Sequence, residues 1–279
     1  MKNFTVTQEC GLLEFLLGTV NKSRNSVKSI LKNKAVRVDG TPVTQFDYRL
    51  RVGQTVSISG SKSVSNSIIL YEDAEIIVVN KPCGLLTIAT DGEKEQTAYR
   101  MMTEHVRASD PKGRVFIVHR LDKDTSGLLL FAKNQKLKNA LQDNWNELVR
   151  ERGYMAIVEG ATPKPADTIR SFLKETATHI MYSADSGLEA VTEYQTVKSS
   201  NGYSLLELRL KTGRKNQIRV HMKELGTPVV GDKKYGSSKA NPLKRLGLHA
   251  HLLELTHPVT QKLLRFTAAV PTEFTKLMK

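Results

Sequence analysis

Short apolar runs separated by polar turns fill most of the chain and predict more strands than helices. Runs of this length, with alternating or continuous apolar character, are typical of β-strands. They predict strands at 76–79, 154–159, 206–210, 248–255 and 264–270. Because these strands do not alternate regularly with helices, the pattern predicts an α+β fold with a mixed sheet.

Two stretches of the same region carry helical patterns instead. Apolar side chains recur at helical spacing at Leu137, Ala140, Leu141, Trp145 and Leu148. This stripe predicts one amphipathic helix, with Trp145 packed in the core rather than stacked on a nucleotide base. Residues 217–225 predict a shorter helix that ends at Gly226.

The N-terminal residues carry a separate pattern of two helices and a few strands. One face of the first predicted helix is formed by Leu12, Leu13, Leu16 and Leu17. Ser23 is a candidate N-cap for the second helix, whose inward positions are Val27, Ile30 and Leu31. A strand at 35–38, a hairpin-type turn at 39–40 and a turn and strand at 52–58 follow.

A Ser-rich stretch separates the two patterns. Residues 59–67 have no apolar periodicity and are typical of a flexible linker. We therefore predict a small N-terminal α/β domain at residues 1–60, a linker at 61–68 and a larger domain at 69–279.

The charge of the chain narrows the choice of partner. Lys and Arg total 42 against 28 Asp and Glu, which gives a formal net charge of +14 and a pI near 9.7. The excess is densest in residues 1–62, which hold 10 basic and 4 acidic residues. Such a charge favours a nucleic acid over a membrane surface, because no long basic amphipathic helix is visible.

No apolar run approaches the roughly 20 residues that span a bilayer. Cys10 and Cys83 are the only cysteines, which does not support a disulfide framework. We therefore expect a cytoplasmic protein.

One polar segment concentrates candidate chemistry. Residues 119–127 lie between two apolar runs, which is the pattern of a loop between buried strands. Asp122 and Asp124 are candidate catalytic carboxylates, since loops held by rigid strands often carry catalytic residues. A salt-bridged turn capped by Asp124 or Thr125 fits the pattern as well, and spacing alone does not choose between the two carboxylates.

The segment His119-Arg120-Leu121-Asp122, followed by residues 125–129, resembles the signature of the RluA family of RNA pseudouridine synthases. The resemblance implies a mixed, mostly antiparallel sheet of the pseudouridine synthase type, with Asp122 as the catalytic residue. It also implies that Arg120 fills the space left by a base that has turned out of its helix. Residues 124–127 then keep a structural role.

Further segments match the family in the expected order, beginning with residues 72–82 and ending beyond residue 225. Arg152-Gly153-Tyr154 resembles the segment whose Tyr faces the catalytic Asp. Tyr154 is thus the candidate that stacks on the base or moves its carbon-5 proton. Residues 212–221 resemble the segment whose Arg holds that Asp through a fork-like contact and whose aliphatic residue packs on the base. The resemblance assigns these roles to Arg219 and Ile218.

Two positions of this last segment depart from the family. Many relatives have Thr-His where this chain has Lys215-Asn216, which puts any role of that His in doubt. Arg214 and Lys215 are further candidate substrate-binding residues.

The N-terminal pattern resembles the S-four RNA-binding domain, on residues 23–27, 36–40 and 52–54. The resemblance implies RNA contact through basic residues of the second predicted helix and beyond its end, which are Arg24, Lys28, Lys32 and Lys34. A basic but solvated helix face is the alternative.

Together these segments predict an RNA pseudouridine synthase that isomerises specific uridines in structured RNA, with ribosomal RNA favoured, through an essential Asp and base flipping. Transfer RNA is the alternative substrate, and a noncatalytic RNA-binding or ribosome-assembly factor is the alternative function. A Mg²⁺-dependent phosphate-ester hydrolase using Asp122 and Asp124 is a third hypothesis. We expect no cofactor, no metal and a monomer. The sequence does not separate attack of Asp122 on the sugar, attack on the base, and base catalysis at the sugar.

Overall fold

The chain divides into two compact units, Met1–Ser67 and Ile68–Lys279. The computed structural model describes residues 2–20, 24–32, 35–58, 68–89, 96–237 and 241–279. The predicted linker at 61–68 lies outside these residues except for Ile68, and so does the candidate cap Ser23.

The first unit combines two helices with short strands among its described residues. The helices are α1 (Leu12–Thr19) and α2 (Arg24–Lys32). The strands are β1 (Lys2–Thr5), β2 (Cys10–Gly11), β3 (Val36–Val38), β4 (Thr41–Pro42), β5 (Arg49–Leu50) and β6 (Thr55–Ile58). One sheet has the order β1-β6-β3-β4, and β2 pairs with β5.

The core of this unit follows the sequence pattern with one exception. Leu16 of α1 and Val27 of α2 are buried against Val36 and Val56 of the sheet. The predicted hairpin turn joins β3 to β4, and its Asp39 has the positive φ, 48°, that such turns require. Leu17, which the sequence pattern places on the same face as Leu13 and Leu16, is 37% exposed.

The second unit is built on one large sheet. Its strands are β7 (Ile69–Glu72), β8 (Ile76–Lys81), β9 (Phe116–Ile117), β10 (Ser126–Ala132), β11 (Val149–Glu159), β12 (Ala166–Glu175), β13 (Met181–Ala184), β14 (Leu188–Ser200), β15 (Tyr203–Leu210), β16 (Leu248–Thr256) and β17 (Leu263–Thr267). Their order is β13-β12-β14-β15-β11-β16-β10-β8-β7, with β17 on β16 and β9 on β10. The strands pair antiparallel except β10 with β16, which run parallel. The predicted α+β class with a mixed, mostly antiparallel sheet is confirmed.

The helices of this unit cover both faces of the sheet. They are α3 (Ala98–Arg107), α4 (Gln135–Asp143), α5 (Trp145–Leu148), α6 (Gln217–Glu224) and α7 (Thr272–Leu277). On β10, Leu128 and Leu130 pack on the side of α4, whereas Leu129 and Phe131 pack on the side of α3. Because both faces are covered, β10 is buried along its whole length and reads as a continuous apolar run.

The prediction of one continuous helix on the stripe from Leu137 to Leu148 is wrong. The helix is interrupted at Asn144, whose φ of −112° and ψ of 30° are not helical. The side-chain amide of Asn144 also donates to the Ala140 carbonyl in the last turn of α4. Trp145 therefore begins a separate short turn, and it packs on the edge of the core formed with α4. Across the described ranges, no helix is both long and apolar enough to cross a membrane.

We expect Gly127→Ala to be strongly destabilising. Gly127 has a φ of +111°, and a Cβ there would lie 2.1 Å from the Ala250 carbonyl oxygen and 2.6 Å from its nitrogen. The parallel pairing of Gly127 with Ala250 leaves no room for a side chain. The expected loss in free energy of unfolding is about 4 kcal/mol or more, read from urea denaturation. Gly160→Ala is the matched control, because Gly160 has a φ of +77° but no atom within 4 Å of the added Cβ. Equal losses for the two variants would contradict this account.

Candidate active site

Asp122 lies in the tight turn that leads into β10. The Thr125 N–H donates to the Asp122 carbonyl at 3.2 Å and closes the turn. The hydroxyl of Thr87 bridges the Leu121 carbonyl and N–H at 2.8 and 3.2 Å. These bonds involve the backbone on both sides of Asp122 and hold its side chain at a defined place.

A buried lysine stabilises the same turn through hydrogen bonds to backbone carbonyls. The Lys81 ammonium, at the end of β8, donates to the carbonyls of Leu85 at 2.7 Å, Lys123 at 3.0 Å and Pro82 at 3.2 Å. Burial lowers the pKa of Lys81 to about 8, although the nearby carboxylates oppose this shift. One side chain thus ties the loop after β8 to the loop that carries Asp122.

Asp122 is held by two donors on one oxygen. Its Oδ2 accepts from Arg219 Nη1 at 2.9 Å and from Asn216 Nδ2 at 2.7 Å. Among the described residues, no hydrogen bond reaches its other oxygen, Oδ1. The Asp122 side chain is 29% exposed, so it lies at a surface that a ligand can reach.

Arg219 is anchored by a second carboxylate. Its Nε and Nη2 form a two-bond fork with Asp232 at 2.7 and 2.8 Å, and the Asp232 side chain is fully buried. Asp232 also accepts from the backbone N–H groups of Lys234 and Tyr235. The predicted contact of Arg219 with Asp122 is present as one hydrogen bond, but the expected fork is made with Asp232 instead.

The charges of Asp122, Arg219 and Asp232 stabilise one another in their ionised forms. Burial alone would raise the pKa of the Asp232 carboxyl, but the bonds and charge of Arg219 and the two backbone donors outweigh it and hold that pKa below its usual value. Burial would likewise lower the pKa of Arg219, and Asp232 and Asp122 reverse this and raise it. Arg219 is therefore a permanent cation between two carboxylates.

These groups lie in an open cleft of about 370 Å³, counted with its mouth. The lining comes from the Asp122 turn, from the strands β11, β15 and β16, and from the start of α6 with the residues before it. It consists of Arg120, Leu121, Asp122, Thr125, Tyr154, Leu210, Arg214, Asn216, Gln217, Ile218, Arg219 and Leu248. The cleft thus brings together six of the predicted site residues from three distant parts of the sequence. Asp124 is exposed and is not part of this lining.

Lys215 differs from the other predicted residues of the cleft. Its ammonium pairs with Glu175, at the end of β12, and it is not among the lining residues. Arg214 lies on the lining, and its Nε donates to the Glu189 carbonyl at 2.9 Å.

Tyr154 is half-buried on β11, with its ring in the lining of the cleft. Burial raises the pKa of its hydroxyl, the charge of Arg152 lowers it, and Asp122 raises it further. The net shift is upward, so the hydroxyl carries its proton at neutral pH. Tyr154 can stack on a planar ring or donate a hydrogen bond without any change of charge.

His119, in the same signature, has a structural position. Its Nε2 accepts from the Leu130 N–H at 3.0 Å, and its ring lies 5.2 Å from the Trp145 ring. Burial, with a smaller effect of the Arg152 charge, lowers the pKa of His119 to about 3. A neutral ring is what this acceptor position requires.

The predicted RNA-binding residues belong to the first unit. Arg24 and Lys28 are exposed on α2. Lys32 ends that helix, but its side chain lies outside the described residues, as does Lys34 altogether.

Sequence reasoning assigned no role to Asp232, Asn216 or Lys81. Asp232 carried one usable signal, since an arginine largely removed from water requires an acidic partner and Asp232 follows α6 closely. The contact of Asn216 with Asp122 depends on tertiary structure. Within the described ranges, no group of three or more His, Cys, Asp or Glu residues is placed to hold a metal ion.

Known proteins share the sequence pattern of this chain. A family model described as RNA pseudouridylate synthase matches residues 75–224, which include Asp122, Tyr154 and Arg219. YlyB of Bacillus subtilis (strain 168), an uncharacterised RNA pseudouridine synthase, is 32% identical over 95% of this chain and 92% of its own length. The ribosomal large subunit pseudouridine synthase D of Xylella fastidiosa is 35% identical over 75% of this chain and 68% of its own.

Solved structures share the fold. Human RNA pseudouridylate synthase domain containing 1 has a TM-score of 0.58 at 25% identity, over 72% of this chain and 82% of that one. Human RNA pseudouridylate synthase domain containing 4 has a TM-score of 0.62 at 23% identity, over 76% and 93% of the two chains. The chain therefore belongs to the RluA-type RNA pseudouridylate synthase family and is an RNA pseudouridine synthase.

Proposed function

We propose that this synthase isomerises specific uridines in ribosomal RNA and that Asp122 is its essential carboxylate. The observation that carries the proposal is a carboxylate in an open cleft, held on one oxygen by a partly buried cation and an amide. A group held in this way is preorganised for chemistry.

The reaction fits a site that needs no external reagent. The bond between N1 of uracil and C1′ of the ribose breaks, and a bond between C5 and C1′ forms. C5 then loses its proton, while N1 gains one, so that product and substrate are isomers. Asp122 would act on the sugar, on the base, or as a base at the sugar. Because Tyr154 is protonated at neutral pH, it would have to lose its own proton before it could remove the one at C5.

The target uridine has to leave its stack to enter the cleft. C1′ and C5 of a stacked nucleotide are shielded by its neighbours, and enzymes that act on a base within a duplex turn it out. Arg120 is exposed at the cleft, and we propose that its guanidinium takes the vacated space. Ile218 and Tyr154, which line the cleft, would then contact the base.

Ribosomal RNA is favoured on two grounds. Several relatives, from Xylella, Xanthomonas and Haemophilus species among others, are ribosomal large subunit pseudouridine synthases D. The net charge of +14 suits a large structured RNA. A cytoplasmic location and a monomeric state remain predictions from the sequence.

We also propose that the first unit, Met1–Ser67, is an S-four-like RNA-binding domain. Arg24→Gln with Lys28→Gln is expected to weaken RNA binding and to reduce the slope of log K against log salt by about 1 to 2, because each phosphate contact contributes about one counterion. Filter binding over a salt series measures both. Lys136→Gln with Lys262→Gln removes the same charge from exposed positions of the other unit and is the control. If both pairs of substitutions weaken RNA binding equally, net charge alone explains the effect and the first unit has no special role in binding.

Pseudouridine maps of total RNA from cells with and without this protein test the substrate. The proposal predicts that one or a few ribosomal sites lose pseudouridine and that wild-type protein restores them. If pseudouridine is lost only from transfer RNA, then transfer RNA is the substrate instead. Unchanged maps in both RNA classes would contradict the proposal.

A further inference from the structure

Asn216 is one of the two positions at which residues 212–221 depart from the family pattern, and its side chain contacts Asp122. The residue precedes α6 with φ 53° and ψ 19°, a left-handed conformation that Asn tolerates better than most residues. At the position where Asn commonly caps a helix, its side chain makes no capping bond. Instead, its Nδ2 donates to Asp122 Oδ2 at 2.7 Å.

A tyrosine fixes which end of the Asn216 amide faces Asp122. The Tyr235 hydroxyl lies 3.1 Å from Asn216 Oδ1 and accepts from the Met181 N–H at 2.9 Å. Because the hydroxyl already accepts from a backbone donor, its own hydrogen is available to Asn216 Oδ1. The carbonyl end of the amide is thereby held towards Tyr235, and the NH₂ end towards Asp122.

We propose that Asn216 is a positioning residue for Asp122, which together with Arg219 holds Oδ2 and leaves Oδ1 as the oxygen that reacts. The inference rests on the proposed catalytic role of Asp122. Both donors to Oδ2 are themselves held: Arg219 by Asp232, and Asn216 by Tyr235. Rotation of the carboxylate would break two hydrogen bonds, whereas Oδ1 has no hydrogen-bond partner among the described residues.

The amide also makes the contact independent of pH. Asn does not titrate, so its N–H remains a donor over the whole range in which the protein is folded. A histidine at the same position changes charge near pH 6.5. Asn216 thus gives Asp122 a hydrogen bond from a donor that does not titrate.

The test uses the full chain and RNA labelled with tritium at C5 of uridine. Asn216→Gly removes the amide and suits the left-handed backbone at no steric cost. We expect kcat to fall about 10- to 100-fold, the loss associated with a hydrogen bond to a charged group, with KM within about twofold. Asn216→His restores an N–H donor at this position and should recover part of the lost kcat.

A double-mutant cycle separates positioning from a general structural effect. Tyr235→Phe should lower kcat by less than Asn216→Gly does and should add nothing to it in the double variant, because Tyr235 acts through Asn216. Independent structural effects would multiply. The inference is overturned if Asn216→Gly keeps the wild-type kcat or changes only KM. It is also overturned if the losses of kcat in Asn216→Gly and Tyr235→Phe multiply in the double variant. Asp122→Asn is assayed in parallel: full activity there would reject the role of Asp122 itself, whereas an inactive Asp122→Asn beside a fully active Asn216→Gly would reject the role of Asn216 alone.

Discussion

Asp122→Asn is expected to lower kcat by about 10³-fold or more while the protein stays folded and keeps its affinity for RNA. The amide cannot act as a carboxylate nucleophile or as a base, and such groups contribute on the order of 10²- to 10⁴-fold. Its carbonyl oxygen can still accept the two bonds that Oδ2 receives from Arg219 and Asn216. The loss therefore reports chemistry rather than folding. Tritium release from labelled RNA gives kcat, and filter binding gives the affinity.

Asp124→Asn is the matched control. It removes the same charge two residues away, at an exposed position outside the cleft lining. The Cys83 thiol donates to Asp124 at 3.0 Å, but the acceptor is the backbone carbonyl, which the substitution does not change. We expect kcat within about twofold of wild type. Similar losses of kcat in Asp122→Asn and Asp124→Asn would contradict the assignment of the catalytic role to Asp122 alone.

Asp232→Asn is expected to lower the free energy of unfolding by about 3 to 5 kcal/mol and to lower kcat by about 100-fold. Asp232 is fully buried and takes both arms of the Arg219 fork. Removing its charge leaves the partly buried Arg219 guanidinium with a single carboxylate partner, which is costly where little water reaches the charge. Arg219 would also lose the anchor that aims it at Asp122, and small misplacements of this kind can cost about 100-fold. Urea denaturation followed by Trp145, the only tryptophan, reports this unit.

The pH dependence of this loss has a defined sign. The folded-state pKa of Asp232 lies below its ordinary value of 3.8, so its stabilisation is complete above that value. It is lost as the pH falls through the lower, folded-state pKa. The difference in unfolding free energy between wild type and Asp232→Asn should thus be constant from about pH 6 to 8 and shrink below about pH 4. Asp143→Asn, at an exposed position of α4, should show no such difference, and a pH-independent gap for Asp232→Asn would contradict the assigned pairing.

Local pattern was enough to predict the fold class, α+β with a mixed sheet, but not the architecture of that sheet. The apolar runs that predicted strands lie in β8, β11, β15, β16 and β17, because burial on a sheet dictates side-chain type directly. The long strands β12 and β14 were missed for the same reason. Their exposed stretches carry polar and charged side chains that show no apolar run. The break at Asn144 was missed because a stripe of apolar residues does not show a non-helical backbone angle.

The candidate site was predicted in part. The resemblance to the family assigned Asp122, Tyr154 and Arg219, and all three line one cleft. The partners that hold them were not predicted. Asp232 and Asn216 meet Arg219 and Asp122 through tertiary contacts, and nothing in their neighbouring residues sets that geometry. Lys81 shows the same limit, because a lysine in an apolar strand gives no sign of the three loop carbonyls that it contacts.

The most direct test of the central claim is a single-turnover reaction of purified protein with ribosomal RNA that carries tritium at C5 of its uridines, in the presence of a chelator. Tritium release from C5 and the pseudouridine content of the product are measured on the same sample. The account predicts one tritium released for each pseudouridine formed by the wild-type protein, and neither with Asp122→Asn. Undiminished release with Asp122→Asn, or tight binding by the wild-type protein without release from any cellular RNA, would contradict it.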